Sequence, residues 1–314
     1  MFAAAAIAAG VAVADVTSAN IVGYLGQDKQ AQSPSFGACF NPVAGGIEYK
    51  LGDMTVVSDD DTLPFDPDSE YLQELDEATT VVKARYTCLT HQLAEYFRSE
   101  DVEDPDTADL IDQNLGWWDF EFGKTIDNVC YAGKGVNRDE KTFKIGQGFL
   151  CYISDAATRT FTTSGAVNQD AVGIDYLAQS PLIANFVPVA FPLSRITVVS
   201  DDDTLPFDPD SEYLQVLDPD TTVVKARYTC LTHQLAEYFR SEDVEDPDTA
   251  DLIDQNLGWW DFEFGKTIQN VCYDETATYR GNETVNPGDA FLCYISDAAK
   301  RTFNFPAAVE KESK

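Results

Sequence analysis

Thr79-Thr80-Val81-Val82-Lys83-Ala84-Arg85-Tyr86-Thr87-Cys88-Leu89-Thr90 decides the fold, and the same twelve letters return at 221–232. The stretch is rich in β-branched and aromatic residues and carries no Gly or Pro, so it predicts a strand over 81–90. Its surroundings repeat with it. Residues 55–131 recur as 197–273 at a constant offset of 142, and only Glu74/Val216, Glu77/Pro219, Ala78/Asp220 and Asp127/Gln269 differ. A period this long lies far above solenoid repeats of roughly 20–50 residues. Each copy is long enough to bury its own core.

Further strands are predicted around this one. Trp118, Phe120 and Phe122 alternate with Asp119 and Glu121, a period of two. Phe149–Ile153 is a short apolar run suited to a strand covered on both faces, and Arg159–Thr163 closes the first copy. Their counterparts are Trp259–Phe264, Phe291–Ile295 and Arg301–Phe305. Helical signals are few: Thr107–Asp112 predicts one short turn with Thr107 as N-cap, and His91–Arg98 reads as strand or loop. The expected class is all-β: two tandem homologous β-sandwich-like or barrel-like domains with long acidic loops. The expected divisions are a signal segment at 1–14, a first domain at 15–165, a second at 166–308 and a polar tail at 309–314. Ser, Gly, Asn and Gln in Ser164–Asp170 mark the linker. An insertion peculiar to the first copy falls at about Ala44–Lys50 and predicts a surface loop.

The chain has 314 residues, with 54 acidic against 21 basic side chains and a net charge of −33. Phosphate backbones and anionic membrane surfaces require a basic face, so neither nucleic acid nor an anionic bilayer fits as a partner. Such a charge also makes the compact state repel itself unless cations or salt screen it. Phe2–Ala14 is small and apolar and ends in Ala12-Val13-Ala14, an A-x-A-like cleavage site. It is too short for a spanning helix of about 20 residues. These features predict an exported product, secreted or held at the cell surface.

Seven cysteines are present, six of them equivalent in pairs: Cys88/Cys230, Cys130/Cys272 and Cys151/Cys293. The preferred bridging is Cys130–Cys151 and Cys272–Cys293, on neighbouring late strands, with Cys88 and Cys230 buried and free. Cys39 has no counterpart and is the candidate for an intermolecular bond or a pair with Cys88. No C-x-x-C occurs, which excludes zinc-ribbon and thioredoxin-type sites.

One resemblance is carried by Ser18-Ala19-Asn20-Ile21-Val22-Gly23-Tyr24 after the export segment, Ser180–Phe186, Leu115-Gly116-Trp117 and Asn286-Pro287-Gly288-Asp289-Ala290-Phe291. In these motifs the chain resembles secreted β-rich proteins common in Verrucomicrobia-like bacteria. The resemblance implies secretion and β structure, and it transfers no catalytic residue.

Three constellations bear on chemistry. Asp59, Asp60, Asp61, Asp66, Asp68 and Glu70 recur as Asp201, Asp202, Asp203, Asp208, Asp210 and Glu212. Clustered carboxylates suit Ca²⁺, although the EF-hand glycine and distal Glu are absent. Glu100–Asp109, repeated as Glu242–Asp251, is a second acidic run; solvated acidic loops are the alternative for both. Trp117 and Trp118, with Trp259 and Trp260, are candidates for sugar stacking or subunit docking, against an aromatic core covered on both sides. Cys88 with His91, and Cys230 with His233, invite a nucleophile or metal reading. On a strand, spacing three points the two side chains to opposite faces, which opposes it. The sequence thus favours a secreted structural or interaction protein that self-associates head-to-tail or by strand addition. It favours no enzyme, no nucleic acid and no membrane span. A carbohydrate-binding module with two equivalent aromatic sites is the alternative, and a glycan-active enzyme comes third.

Overall fold

The computed structural model describes residues 22–29, 36–37, 48–58, 70–76, 79, 81–99, 105–119, 135–153, 159–166, 170–176, 182–200, 207, 212–217, 224–241, 247–261, 277–295 and 300–308. In the first copy these form β1 (Val22–Lys29), β2 (Phe36–Gly37), β3 (Glu48–Lys50), β4 (Thr55–Ser58), β5 (Tyr71–Leu75), β6 (Val82–Leu89), α1 (His91–Ser99), α2 (Pro105–Gln113), β7 (Gly116–Asp119), β8 (Val136–Asn137), β9 (Thr142–Lys144), β10 (Gly148–Tyr152) and β11 (Arg159–Ala166). The second copy has β12 (Val172–Tyr176), β13 (Leu182–Ala184), β14 (Phe191–Pro192), β15 (Thr197–Ser200), β16 (Tyr213–Leu217), β17 (Val224–Leu231), α3 (His233–Ser241), α4 (Pro247–Gln255), β18 (Gly258–Asp261), β19 (Thr278–Tyr279), β20 (Thr284–Val285), β21 (Ala290–Tyr294) and β22 (Arg301–Phe305).

Strands dominate, as expected for an all-β chain. The sheet order repeats with the sequence: β1-β11-β4 and β2-β10-β5-β6-β7-β8 in the first copy, β12-β22-β15 and β13-β21-β16-β17-β18-β19 in the second. Strand alternation builds the core between each copy's two main sheets. On β6, Tyr86 and Cys88 point inward, where Leu72, Trp117, Phe149 and Cys151 meet Val56 and Phe161 of the three-stranded sheet. The opposite face of β6 carries Leu89, which packs under the helices with Leu93, Ala94, Ala108 and Ile111.

His91–Ser99 is a helix, which corrects the strand-or-loop expectation. The Thr90 hydroxyl accepts the Leu93 amide at 3.1 Å, an N-cap that turns the chain out of β6. Leu93, Ala94 and Phe97 then recur on the face turned to the sheet. The second helical signal holds but starts earlier: Pro105 opens α2, so Thr107 lies inside the helix rather than at its cap. The expected linker is shortened, because Ser164–Ala166 continue β11 and pair with Val22–Tyr24. Part of the insertion is also ordered, since Glu48–Lys50 pairs with Thr142–Lys144 and Tyr49 is buried. No helix among the described residues is long and apolar enough to cross a membrane.

Candidate functional site

The two tryptophans of each Trp-Trp pair point to opposite faces, and both faces are covered. Trp117 is 1 % exposed and Trp259 0 %, and their indole N–H groups donate to the backbone carbonyls of Met54 and Ile196 at 2.8 Å. They form the sandwich core, so Trp117 and Trp259 are unavailable for sugar stacking, a correction to the sequence reading. Trp118 and Trp260 pack beneath the helix pairs and donate to the carbonyls of Asn114 and Asn256 at 2.8 Å. The Leu-Gly-Trp motif has a backbone cause: Gly116 and Gly258 sit at φ 117° and 119°, a region L side chains avoid.

The Cys88–His91 pairing does not form. Cys88 lies in the core, and burial, followed by the charge of Asp139, pushes its thiol up to about 12. A protonated thiol is a poor nucleophile. His91 instead starts α1 and contacts Asp112 Oδ1 through Nδ1 at 2.9 Å. Arg98 donates to Asp109 at 2.9 Å and to Asp112 at 2.6 Å. The Arg98 guanidinium, then His91, holds the Asp112 carboxyl below the usual carboxylate range. The same network joins His233, Arg240, Asp251 and Asp254 in the second copy. It clamps each helix pair at its surface.

Glu70 and Glu212 leave the calcium-ligand set. Each is 0 % exposed and paired with an equally buried arginine, Glu70 with Arg159 at 3.0 Å and Glu212 with Arg301 at 2.9 Å. In the first pair both carboxylate oxygens accept from the guanidinium fork, which commits them to it. Asp59, Asp60, Asp61, Asp66, Asp68, Asp201, Asp202, Asp203, Asp208 and Asp210 lie outside the described residues, as do Cys39, Cys130 and Cys272. Cys293 is a free thiol in the core, so the expected bridge to Cys272 is not formed; Cys151 is buried too, its expected partner Cys130 lies outside the described residues, and Cys88 and Cys230 are buried and free as expected.

A surface group that the sequence reading missed lies on the outer face of each six-stranded sheet. Tyr71 and Tyr152 stack with centroids 5.0 Å apart, and the Arg85 guanidinium sits 4.3 Å from the centre of the Tyr71 ring. Tyr213, Tyr294 and Arg227 repeat both distances. All six side chains are half-buried. The signal was the alternation of three separate strands, and it converges only once the register Tyr71↔Tyr152 and Gln73↔Arg85 is known.

A groove of about 460 Å³ opens in the first copy between β4 and the start of α1, with Met54, Val56, Leu115 and Trp117 on its apolar side and His91 and Asp139 among its polar groups. Asp139 accepts the Trp117 amide at 2.7 Å. In the second copy Gly281 stands at the Asp139 position, and the Tyr279 ring comes within 3.3 Å of where a Cβ on Gly258 would lie.

Comparison with protein-family models, curated proteins and solved structures finds no match.

Proposed function

We propose that the chain is a secreted structural or interaction protein, a subunit of an extracellular filament, surface layer or matrix. The observation that carries the reading is the duplication of one exterior in detail. The clamped helix pair and the tyrosine–arginine group recur with the same partners and nearly the same distances. Duplicated equivalent surfaces serve multivalent contact, because linked sites raise effective concentration without new contacts. A single catalytic pocket gains nothing from such a copy. Light scattering on the processed chain, over a range of concentrations and calcium levels, tests the proposal. Concentration-dependent assemblies support it; a monomer under every condition refutes it.

Calcium is the proposed ligand of the acidic stretches at 59–68 and 201–210, because their carboxylates are dense enough to need a counter-charge. Carbohydrate binding is the second reading, now resting on Tyr71, Tyr152 and Arg85 rather than on the tryptophans. Stacked phenols beside a guanidinium offer both an apolar face and hydrogen-bond donors to a sugar ring. A glycan array separates the readings: retention that disappears in Tyr71→Ala/Tyr213→Ala favours carbohydrate, and no retained glycan removes it.

A further inference from the structure

The two copies meet through a contact whose two halves are unalike. Copy 1 supplies the turn before β10. Gly146 presents its carbonyl to the Ala184 amide at 2.8 Å and the Tyr176 hydroxyl at 3.0 Å. Gln147 forms an antiparallel bridge with Ile183, and Ile145 is buried in the core cluster of copy 2 with Tyr176, Ile183 and Phe186. The fit is close. A Cβ on Gly146 would come 2.5 Å from Ile174 Cδ1 and 2.9 Å from the Tyr176 hydroxyl, and φ there is +81°. A Cβ on Gly148 would come 3.0 Å from Leu182 and 3.2 Å from the Ala290 methyl.

We infer that this junction is one-way and self-terminating: copy 2 accepts the turn of copy 1, and neither copy carries the residues to repeat the contact with a neighbouring chain. The equivalent positions of the two copies carry it. On the turn, Ile145, Gln147 and Gly148 of copy 1 stand where copy 2 has Pro287, Asp289 and Ala290. The added methyl of Ala290 sits at the very position where a Cβ on Gly148 would be crowded. Copy 2's turn is also closed on its own copy. Asn286 N–H donates to Asp289 Oδ2 at 2.7 Å, and Gly288 N–H donates to the Asn185 carbonyl at 2.9 Å.

The receiving side diverges in parallel. Phe303 pairs with Ile174 and Arg301 with Tyr176, whereas the equivalent Phe161 and Arg159 pair with Gln27 and Lys29. The first copy therefore has an amide and a cation at the register positions where the second has the Ile174 and Tyr176 that receive Gly146. A heterologous contact that does not close generates open filaments. Here the divergence on both sides stops it after one step. The tandem is a rigid pair of fixed spacing, and any assembly of chains runs through other surfaces.

Three full-length variants test this independently of whether the parent assembles. Ile145→Pro/Gln147→Asp/Gly148→Ala gives copy 1 the turn of copy 2. Ile174→Gln/Tyr176→Lys gives copy 2 the receiving residues of copy 1. In small-angle X-ray scattering at a concentration where the parent is monomeric, each is expected to broaden the pair-distance distribution and lengthen its tail, with circular dichroism unchanged. Unchanged scattering from both variants overturns the inference. The third variant, Gln27→Ile/Lys29→Tyr/Pro287→Ile/Asp289→Gln/Ala290→Gly, supplies a receiving face and a turn at the two free ends. It is expected to raise the mass from light scattering at least twofold over the parent at equal concentration. A mass equal to the parent's overturns the assignment of termination to these residues.

Discussion

Replacing Glu74 by Val repeats in copy 1 what copy 2 already has, since Val216 is the equivalent residue. The Glu74 side chain is 4 % exposed. It accepts a short hydrogen bond from the Tyr86 hydroxyl and pairs with Lys83 at 3.1 Å and Lys141 at 3.5 Å. Losing the carboxylate strands a buried phenolic O–H, which costs about 1–3 kcal/mol. The lysines are part-exposed and lose about 0–1 kcal/mol each. Valine returns part of this, because burying an aliphatic side chain contributes roughly 1.5–3 kcal/mol. The expected net loss is about 1–2 kcal/mol in urea or thermal unfolding. The position of Lys141 carries Glu283 in copy 2, where Glu283 pairs with Arg280 at 3.0 Å. Lys141→Glu alone sets two carboxylates side by side at a buried site and is expected to destabilise by a similar amount. The double variant Glu74→Val/Lys141→Glu reproduces the copy 2 arrangement, so its cost is expected to fall below the sum of the single costs by at least about 1 kcal/mol, within the range of contacting pairs. Additive costs would refute the claim that these positions are coupled through the carboxylate.

The buried Glu70–Arg159 pair predicts asymmetry between one change and two. Glu70→Leu or Arg159→Leu should each cost about 3–5 kcal/mol by stranding a charge, and the double variant should cost much less than their sum, read by denaturant unfolding. Asp112 has its pKa depressed in the folded state, so its contribution is present above the ordinary carboxylate pKa and is lost as pH falls through the lower folded value. An acid titration of the 222 nm ellipticity should show loosening below the ordinary carboxylate range, and Asp112→Asn/Asp254→Asn should abolish that step; an unchanged profile would contradict the clamp. The thiols of Cys88, Cys230 and Cys293 should react with a colorimetric disulfide reagent only after denaturation, since all three are buried. Fast labelling of any of the three in the native protein would contradict their placement. Millimolar Ca²⁺ should raise the melting temperature more than NaCl of matched ionic strength; equal shifts would reduce the acidic stretches to screened charge.

Much of the fold was open to sequence reading because strands announce themselves by alternation. Val82–Leu89, Gly148–Tyr152 and Arg159–Ala166 all fall where β-branched and aromatic residues cluster. The helix at His91–Ser99 was hidden because it follows a strand without Gly or Pro, and its start depends on one Thr90 hydroxyl that also suits a strand. The Trp-Trp pair was correctly split between two faces, yet pattern alone left open what would cover the second face. Of the two helices that cover it, His91–Ser99 stands where strand or loop is expected, and Pro105–Gln113 is longer than the single turn expected there. Glu70 looked like one more loop carboxylate, because its partner Arg159 lies 89 positions away and only the fold brings them together. The tyrosine–arginine group and the copy junction are likewise products of register, which no single strand encodes.

The most direct test of the proposed role is electron microscopy of the material as the producing cells release it, labelled with antibody against the chain. Label is expected on ordered filaments, layers or matrix outside the cell, with chains in regular repeat. Label confined to dispersed single molecules, at native abundance and in calcium, would contradict it.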